Sequence, residues 1–216
     1  MSGKRILDVG SGLGGLAFYL EQQPDAQVTG IELNPWMVQE ATRRTPTTLR
    51  GKVDFCAYVP PVLPFADNTF DIIISKGVLV HLHDKLPLFQ QFHRVLKPGG
   101  QLIINDWLSP VAGQWGQKLQ AMCEAESLTL YAHALSQYEG WLAQAGFTLM
   151  SVVSEDAAYV QYNEEIAAQL AASENQQTLL PHFPASDWQE AVASYQGIAD
   201  SIAEGELLIR RFVAVA

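Results

Sequence analysis

The sequence predicts an α/β protein in which helices cover both faces of a parallel sheet. Short apolar runs alternate with helical segments through residue 106, and this alternation is typical of parallel sheets. A glycine-rich loop directly follows the first apolar run. After Trp107 the alternation gives way to acidic, alanine-rich segments. We therefore expect a core in the first part of the chain and a helical cover in the second.

The individual elements follow from apolar runs and from the residues that bound helices. Buried parallel strands are continuous β-branched runs, such as Ile72-Ile73-Ile74. Pro35 suits the first turn of a helix, and Gly146 suits the end of one. The predicted strands are residues 4–9, 26–31, 52–58, 70–75, 101–106, 147–153 and 207–215. The predicted helices are residues 16–23, 35–44, 84–96, 112–130, 135–145, 157–180 and 188–204.

The composition excludes several classes of protein. The 216 residues include two cysteines, too few for a disulfide framework or a cysteine-rich zinc site, and we predict no metal. No apolar run approaches the ~20 residues of a membrane span. The N-terminus has no apolar secretory segment, which predicts a cytoplasmic protein. A net charge of −10 argues against a nucleic-acid partner, and the oligomeric state is left open.

Charge is distributed unevenly along the chain. Residues 1–118 contain 11 Lys/Arg and 10 Asp/Glu, whereas residues 119–216 contain 2 Lys/Arg and 13 Asp/Glu. The acidic second part is either a solubilising surface or a cover without a cationic clamp for a phosphate or carboxylate.

The glycine-rich loop is the strongest functional signal. Asp8-Val9-Gly10-Ser11-Gly12-Leu13-Gly14-Gly15 follows a predicted strand and opens a predicted helix, the context that makes such a loop a nucleotide-binding candidate. Glu32 ends the second predicted strand, where a carboxylate can accept hydrogen bonds from ribose hydroxyls. The glycine spacing fits both a dinucleotide and a nucleoside cofactor. Asp8 favours S-adenosylmethionine over NAD, because its carboxylate suits an ammonium and a sulfonium better than a pyrophosphate.

These segments together resemble the class I S-adenosylmethionine-dependent methyltransferases. The matching text is the loop above, Gly30-Ile31-Glu32-Leu33-Asn34, Leu63-Pro64-Phe65-Ala66-Asp67-Asn68-Thr69-Phe70-Asp71 and Leu96-Lys97-Pro98-Gly99-Gly100. The resemblance implies a Rossmann-like sheet of order 3-2-1-4-5-7-6 with strand 7 antiparallel. It also implies a single domain over residues 1–216, with a cofactor-binding core at 1–106. Residues 107–145 and 154–205 would form an acidic helical cover over the acceptor site.

Within that superfamily the chain looks like the phosphoethanolamine and small-amine N-methyltransferases. The segment from Ile73 to Leu82 resembles the segment after their fourth strand, and residues 154–205 resemble their long helical insertion. His81 matches a histidine that those enzymes use in catalysis; the alternative is a packing or capping residue at a helix start. The resemblance implies that the cofactor contacts are Asp8, Gly10, Ser11, Gly12, Glu32, Leu33, Met37, Tyr58, Val59, Ser75, Lys76 and Gly77.

Three departures from the family pattern refine the function. Val59 stands where the family has an adenine-reading aspartate. The chain starts four residues before the first predicted strand, which predicts an open site, a truncated product or a partner that completes the cover. The acidic cover predicts a small neutral or amine-bearing acceptor rather than a phosphorylated one. We therefore expect methyl transfer from S-adenosylmethionine, leaving S-adenosylhomocysteine; the alternative is a cofactor-binding protein without turnover on its own.

Overall fold

The strands form one sheet in a computed structural model that describes residues 3–20, 22, 25–172, 175 and 184–216. Each strand coincides with a predicted apolar run, apart from shifts at its ends. The strands are β1 (Arg5–Val9), β2 (Gln27–Glu32), β3 (Val53–Ala57), β4 (Phe70–Lys76), β5 (Leu96–Leu108), β6 (Thr148–Ser154) and β7 (Leu208–Val215).

The sheet has the predicted order, β3-β2-β1-β4-β5-β7-β6. The first five strands run parallel; in this register Asp8 lies beside Gly30 of β2 and Ile74 of β4. Strand β7 is antiparallel, because the start of β5 pairs with the end of β7. The amide of Gly99 donates to the carbonyl of Ala216, and the amide of Ala216 donates to that of Gly100. The predicted topology is therefore confirmed.

The helices lie where they are predicted, but some of them differ from the predictions in length. They are α1 (Gly15–Leu20), α2 (Pro35–Arg44), α3 (Leu86–Val95), α4 (Gln117–Ala125), α5 (Leu135–Gln144), α6 (Asp156–Ala171) and α7 (Ala185–Ala203). The predicted helix 112–130 is too long, because positive φ angles at Gly113 and Ser127 interrupt it on either side. Parts of the predicted helices 16–23 and 157–180 lie outside the described residues.

Strand β5 is longer than predicted. The sequence Pro98-Gly99-Gly100 is typical of a turn, and it led to a strand starting at residue 101. Instead, Gly99 and Gly100 pair with Ala216, the last residue of the chain, and Leu96 pairs with Phe70 of β4, so the strand begins at Leu96. Pairing with a segment more than 100 residues away overrides the local preference of these residues.

The chain divides into two compact units. The first contains Met1–Asp106, Tyr138–Val152 and Arg211–Ala216, and the second contains Trp107–Gln137 and Val153–Arg210. The second unit begins at Trp107, where the sequence pattern changes, although helix α5 groups with the sheet. One cluster in the first unit consists of Ile6, Ala17, Leu20, Ala26, Val28, Val53 and Ile72. One in the second unit consists of Leu119, Ile198, Ile202, Leu207 and Ile209. In the described part of the chain, no helix could cross a membrane.

Substitution of Gly30 in β2 tests how tightly the sheet packs next to the glycine-rich loop. A Cβ added at Gly30 would lie 2.5 Å from Cδ1 of Phe55 and 2.8 Å from Cβ of Ser11. We expect Gly30→Ala to lower the free energy of unfolding by roughly 1–3 kcal/mol, as overpacking does. A Cβ added at Gly197 in α7 would meet no described atom within 4 Å, so Gly197→Ala should raise the free energy of unfolding by up to about 1 kcal/mol. Urea unfolding of both variants measures the difference; equal effects would contradict tight packing at Gly30.

Candidate functional site

The glycine loop turns sharply at the carboxyl end of β1. The amides of Gly10 and Ser11 both donate to the carbonyl of Ile31, at 2.8 and 3.0 Å. Gly10 has φ +73°, and a Cβ there would overlap the side chain of Val78. Glycine is therefore required at position 10 both by the backbone conformation and by the close approach of the segment that follows β4.

Glu32 ties the loop after β1 to the loop after β2. Its Oε2 accepts from the amide of Gly12 at 3.1 Å, and its Oε1 accepts from the amide of Asn34 at 3.0 Å. Asn34 in turn caps α2 by accepting from the amide of Trp36 at 2.9 Å. Each carboxylate oxygen has a second lone pair, so Glu32 keeps the capacity to accept from a ligand hydroxyl.

Asp8 is a buried carboxyl group at the end of β1. Asp8 is 2% exposed, and its Oδ2 has no hydrogen-bond partner among the residues that the structure describes. Burial raises the pKa of Asp8 to about 7, and the nearby Glu32 carboxylate raises it further. A buried carboxyl group without compensation is unstable in its charged form, and a cationic ligand would relieve that cost.

Two hydroxyl groups at the same edge share this lack of partners. The Oγ atoms of Ser11 and Ser75 are buried and accept or donate no hydrogen bond within the described structure. Val9 lies beside Ser75 in the pairing of β1 with β4. Most buried polar atoms in proteins are satisfied, so three unsatisfied atoms at one edge indicate a ligand site. Strand order reverses between β1 and β4, the position where open parallel sheets bind ligands.

A cavity of about 300 Å³ opens at this edge. Seven predicted site residues line it: Gly10, Glu32, Leu33, Tyr58, Lys76, Gly77 and His81. Three lining residues, Pro60, Val78 and Leu82, were not predicted. They are apolar loop residues next to predicted ones, and nothing in their type distinguishes them from packing residues. Only the meeting of the loops after β1, β3 and β4 reveals them.

The other predicted contacts do not line this cavity; they are Asp8, Ser11, Gly12, Met37, Val59 and Ser75. Asp8, Ser11 and Ser75 contribute the unsatisfied atoms described above. Met37 is half-buried in the first turns of α2. Val59 is 73% exposed and forms a small turn with Val62. Tyr58 is buried, and burial together with Glu32 raises the pKa of its phenol to about 12; it is therefore a neutral donor at physiological pH.

His81, the predicted catalytic residue, lines the cavity. It ends a short 3-10 turn, Leu79–His81, and its side chain is exposed. Helix α3 begins only at Leu86, so His81 does not pack at a helix start. Its catalytic role stays a prediction.

The cavity also contains a cationic residue that the charge argument overlooked. Lys76, the last residue of β4, lines it. From the acidic second part of the chain we expected a site without a cationic side chain to bind a phosphate. Lys76 lies instead in the first part of the chain, at the end of β4. Around the described residues, no group of three or more His, Cys, Asp and Glu side chains could hold a metal ion.

The class of protein follows from the sheet and from the family match. Residues 7–104 match a family model described as a methyltransferase domain. A phosphoethanolamine N-methyltransferase 2 from Haemonchus contortus superposes with a TM-score of 0.88 at 24% identity, over 99% of this chain and 49% of that one. A putative sarcosine dimethylglycine methyltransferase from Galdieria sulphuraria gives a TM-score of 0.84 at 19% identity, over 100% and 78%. The sheet topology and the family match together give the chain the fold of the class I methyltransferases.

Its curated relatives include the type that the sequence suggests. A phosphoethanolamine N-methyltransferase 1 from Triticum aestivum is 32% identical over 215 residues, which is 99% of this chain and 42% of the relative. The chain thus spans less than half the length of that relative. The predicted resemblance is confirmed.

The buried carboxyl group of Asp8 predicts a specific pH dependence of stability. The pKa of Asp8 is about 7 in the folded protein, whereas the ordinary value for an aspartate in an unfolded chain is 3.8. The folded protein therefore holds a proton that the unfolded chain loses between these values. Stability therefore falls as pH rises from about 4 to about 7. We expect Asp8→Asn to stabilise the ligand-free protein at pH 8 by up to roughly 4 kcal/mol, and much less at pH 4.

Urea unfolding at both pH values measures this difference. Asp54→Asn is the matched control, because Asp54 is an exposed aspartate on β3, which β2 separates from β1. The same gain at pH 4 and pH 8 would show that Asp8 does not titrate as described.

Proposed function

We propose that this chain binds S-adenosylmethionine at the carboxyl edge of β1, β2 and β4 and transfers its methyl group to a small amine-bearing acceptor. The observation that carries the proposal is the buried carboxyl group of Asp8, whose Oδ2 has no hydrogen-bond partner among the described residues. Asp8 lies two residues before Gly10, which lines the cavity. Such a group suits a ligand that brings a positive charge, and it suits a pyrophosphate poorly. This argues for S-adenosylmethionine against NAD, the alternative that the glycine spacing permits.

The residues at this edge match the parts of that cofactor. Asp8 would hold the ammonium group, and the hydroxyl of Ser75 or Ser11 would complete its hydrogen bonds. Glu32 would accept from the ribose hydroxyls. Leu33, Met37, Tyr58 and Val59 would contact the adenine or ribose. When bound, the cofactor supplies an electrophilic methyl group on a sulfonium.

The chain's own residues would orient the acceptor and handle its proton. Val78 and Leu82 give the cavity apolar walls, which exclude water from the reacting atoms. An amine must lose its proton before its nitrogen can accept a methyl group. His81 is suited to remove or hold that proton, because it lines the cavity and an imidazole is a common general base. Alignment of the two reactants supplies much of the remaining rate.

An amine-bearing acceptor is supported from two directions. The curated relatives are named for phosphoethanolamine, whose amine is methylated, and the Haemonchus contortus structure contains phosphomonomethylethanolamine. The acidic second part of the chain, residues 119–216, argued for an acceptor without a phosphate. Lys76 beside the cavity supplies a cation within the core unit, so both unphosphorylated and phosphorylated amines belong in the test.

Turnover is favoured over cofactor binding alone, because the family match and the relatives are methyltransferases. We further propose a cytoplasmic protein that binds no nucleic acid.

Cofactor binding should depend on pH through Asp8. A cation binds the ionised carboxylate, and the pKa of Asp8 is about 7, so protonation competes with binding at lower pH. We expect the affinity for S-adenosylmethionine to be roughly tenfold weaker at pH 5.5 than at pH 7. Asp8→Asn should weaken binding at pH 7 and remove this dependence, whereas Asp54→Asn should bind as the parent does. Calorimetric titration at both pH values measures this; no binding at either would refute the proposed cofactor.

Methyl transfer is tested with labelled S-adenosylmethionine and three acceptors: ethanolamine, phosphoethanolamine and glycine. We expect transfer to at least one of these amines. His81→Gln should lower kcat by roughly 100-fold or more while leaving the cofactor Kd unchanged. His83→Gln is the control, because His83 is an exposed histidine two residues away that does not line the cavity. Binding without transfer to any amine would favour the protein without turnover instead.

A further inference from the structure

A lysine is completely buried directly behind the turn that carries His81. The side chain of Lys85 is 0% exposed, and its Nζ donates to the carbonyl of Leu82 at 2.7 Å. The same ammonium lies 5.4 Å from the ring centre of Tyr138 and 5.6 Å from that of Trp141. Neither the cofactor site nor the proposed proton transfer uses this group directly.

The surroundings of Lys85 come from several elements of the core unit. Asp106 of β5 is completely buried and accepts from the phenol of Tyr138 at 2.7 Å. The ring of Tyr138, on α5, stacks on Phe212 of β7 with centres 5.3 Å apart and planes 13° apart. The Lys85 cluster, defined as Lys85, Asp106, Tyr138 and Trp141, is therefore anchored on the sheet.

The carbonyl that Lys85 holds belongs to the wall of the candidate site. Leu82 lines the cavity, and its amide donates to the carbonyl of Leu79 at 2.9 Å. The amide of His81 donates to the carbonyl of Val78 at 3.2 Å. The segment from Val78 to Leu82 is thus one hydrogen-bonded turn, and its last carbonyl is fixed from behind by a buried ammonium.

Burying an ammonium group is energetically unfavourable unless the group does more than fill space. Desolvating it costs several kcal/mol unless partners compensate, and a leucine or methionine would fill the same volume without that cost. What the ammonium adds is a charge-assisted hydrogen bond to a carbonyl, which is about twice as strong as a neutral one. This bond restrains the position of the turn.

We propose that Lys85 is a positioning residue, which holds the Val78–Leu82 turn so that His81 faces the cavity. The proposal rests on the proposed function for the role of His81, but the placement of the turn can be measured without activity. Lys85 acts through Leu82 and not on the substrate.

The protonation of Lys85 provides a second way to test this. Burial lowers the pKa of Lys85 to about 8, while the carboxylates of Asp106 and Asp84 partly offset the decrease. The groups that face it are Asp84 from its own loop, Asp106 from β5 and Tyr138 from α5, whose phenol pKa is raised by burial and by Asp106. Positioning should therefore weaken as pH rises through about 8.

The first experiment compares Lys85→Met with Lys4→Met, an exposed lysine that pairs with Asp71. Histidine labelled with carbon-13 reports the His81 imidazole by NMR, assigned with His81→Gln. We expect Lys85→Met to shift the His81 resonance, to lower kcat at least tenfold and to leave the cofactor Kd unchanged. Lys4→Met should change none of these. An unshifted His81 resonance in Lys85→Met would overturn the proposal.

The second experiment uses Asp106→Asn, which keeps the shape of the cluster and the acceptor for Tyr138. Removing this carboxylate lowers the pKa of Lys85, so the alkaline loss of kcat should move to lower pH. A merely structural role would lower the melting temperature without moving the pH profile, and that result would also overturn the proposal. If the parent protein transfers no methyl group, the proposed function fails. The role of Lys85 is then still decided by the His81 resonance, recorded against pH in the parent protein and in Asp106→Asn, because its alkaline change should move to lower pH in the variant.

Discussion

The candidate site depends on the burial of one carboxyl group, Asp8, without a compensating partner. Keeping this group in its charged form costs stability, and the cost shows as a pKa of about 7. Asp8 is buried because β1 lies between β2 and β4 in the middle of the sheet. A residue at the end of a central strand is buried on both sides, yet it faces the open edge where ligands bind.

The two sides of the cavity are held by different means. On the β2 side, Glu32 accepts from two backbone amides and joins two loops. On the β4 side, a buried ammonium holds the carbonyl of Leu82. Glu32 can still accept a hydrogen bond from a ligand, whereas the Lys85 ammonium is used behind the cavity wall. We therefore assign ligand binding and the positioning of the wall to separate charged groups, one on the β2 side of β1 and one on the β4 side.

Local patterns predicted the parts of the site that local chemistry determines. The glycine loop and Glu32 were recognisable because a strand–loop–helix unit needs positive φ angles at set positions and a carboxylate at the next strand end. Pro60, Val78 and Leu82 were missed because apolar loop residues have no chemical mark. Lys85 was missed for the opposite reason, since a lysine in sequence is expected at the surface.

The sequence by itself determined the alternation of strands and helices, the turn at Gly10 and the chemistry of Asp8 and Glu32, because these depend on neighbouring residues. Only the tertiary structure decided which loops meet. It extended β5 back to Leu96 by pairing Leu96 with Phe70 and the two glycines after Pro98 with Ala216. It also buried Lys85 against Tyr138 and Trp141. Contacts between residues far apart in the chain outweigh local preference, since burial and pairing are properties of the packed core and not of any short segment.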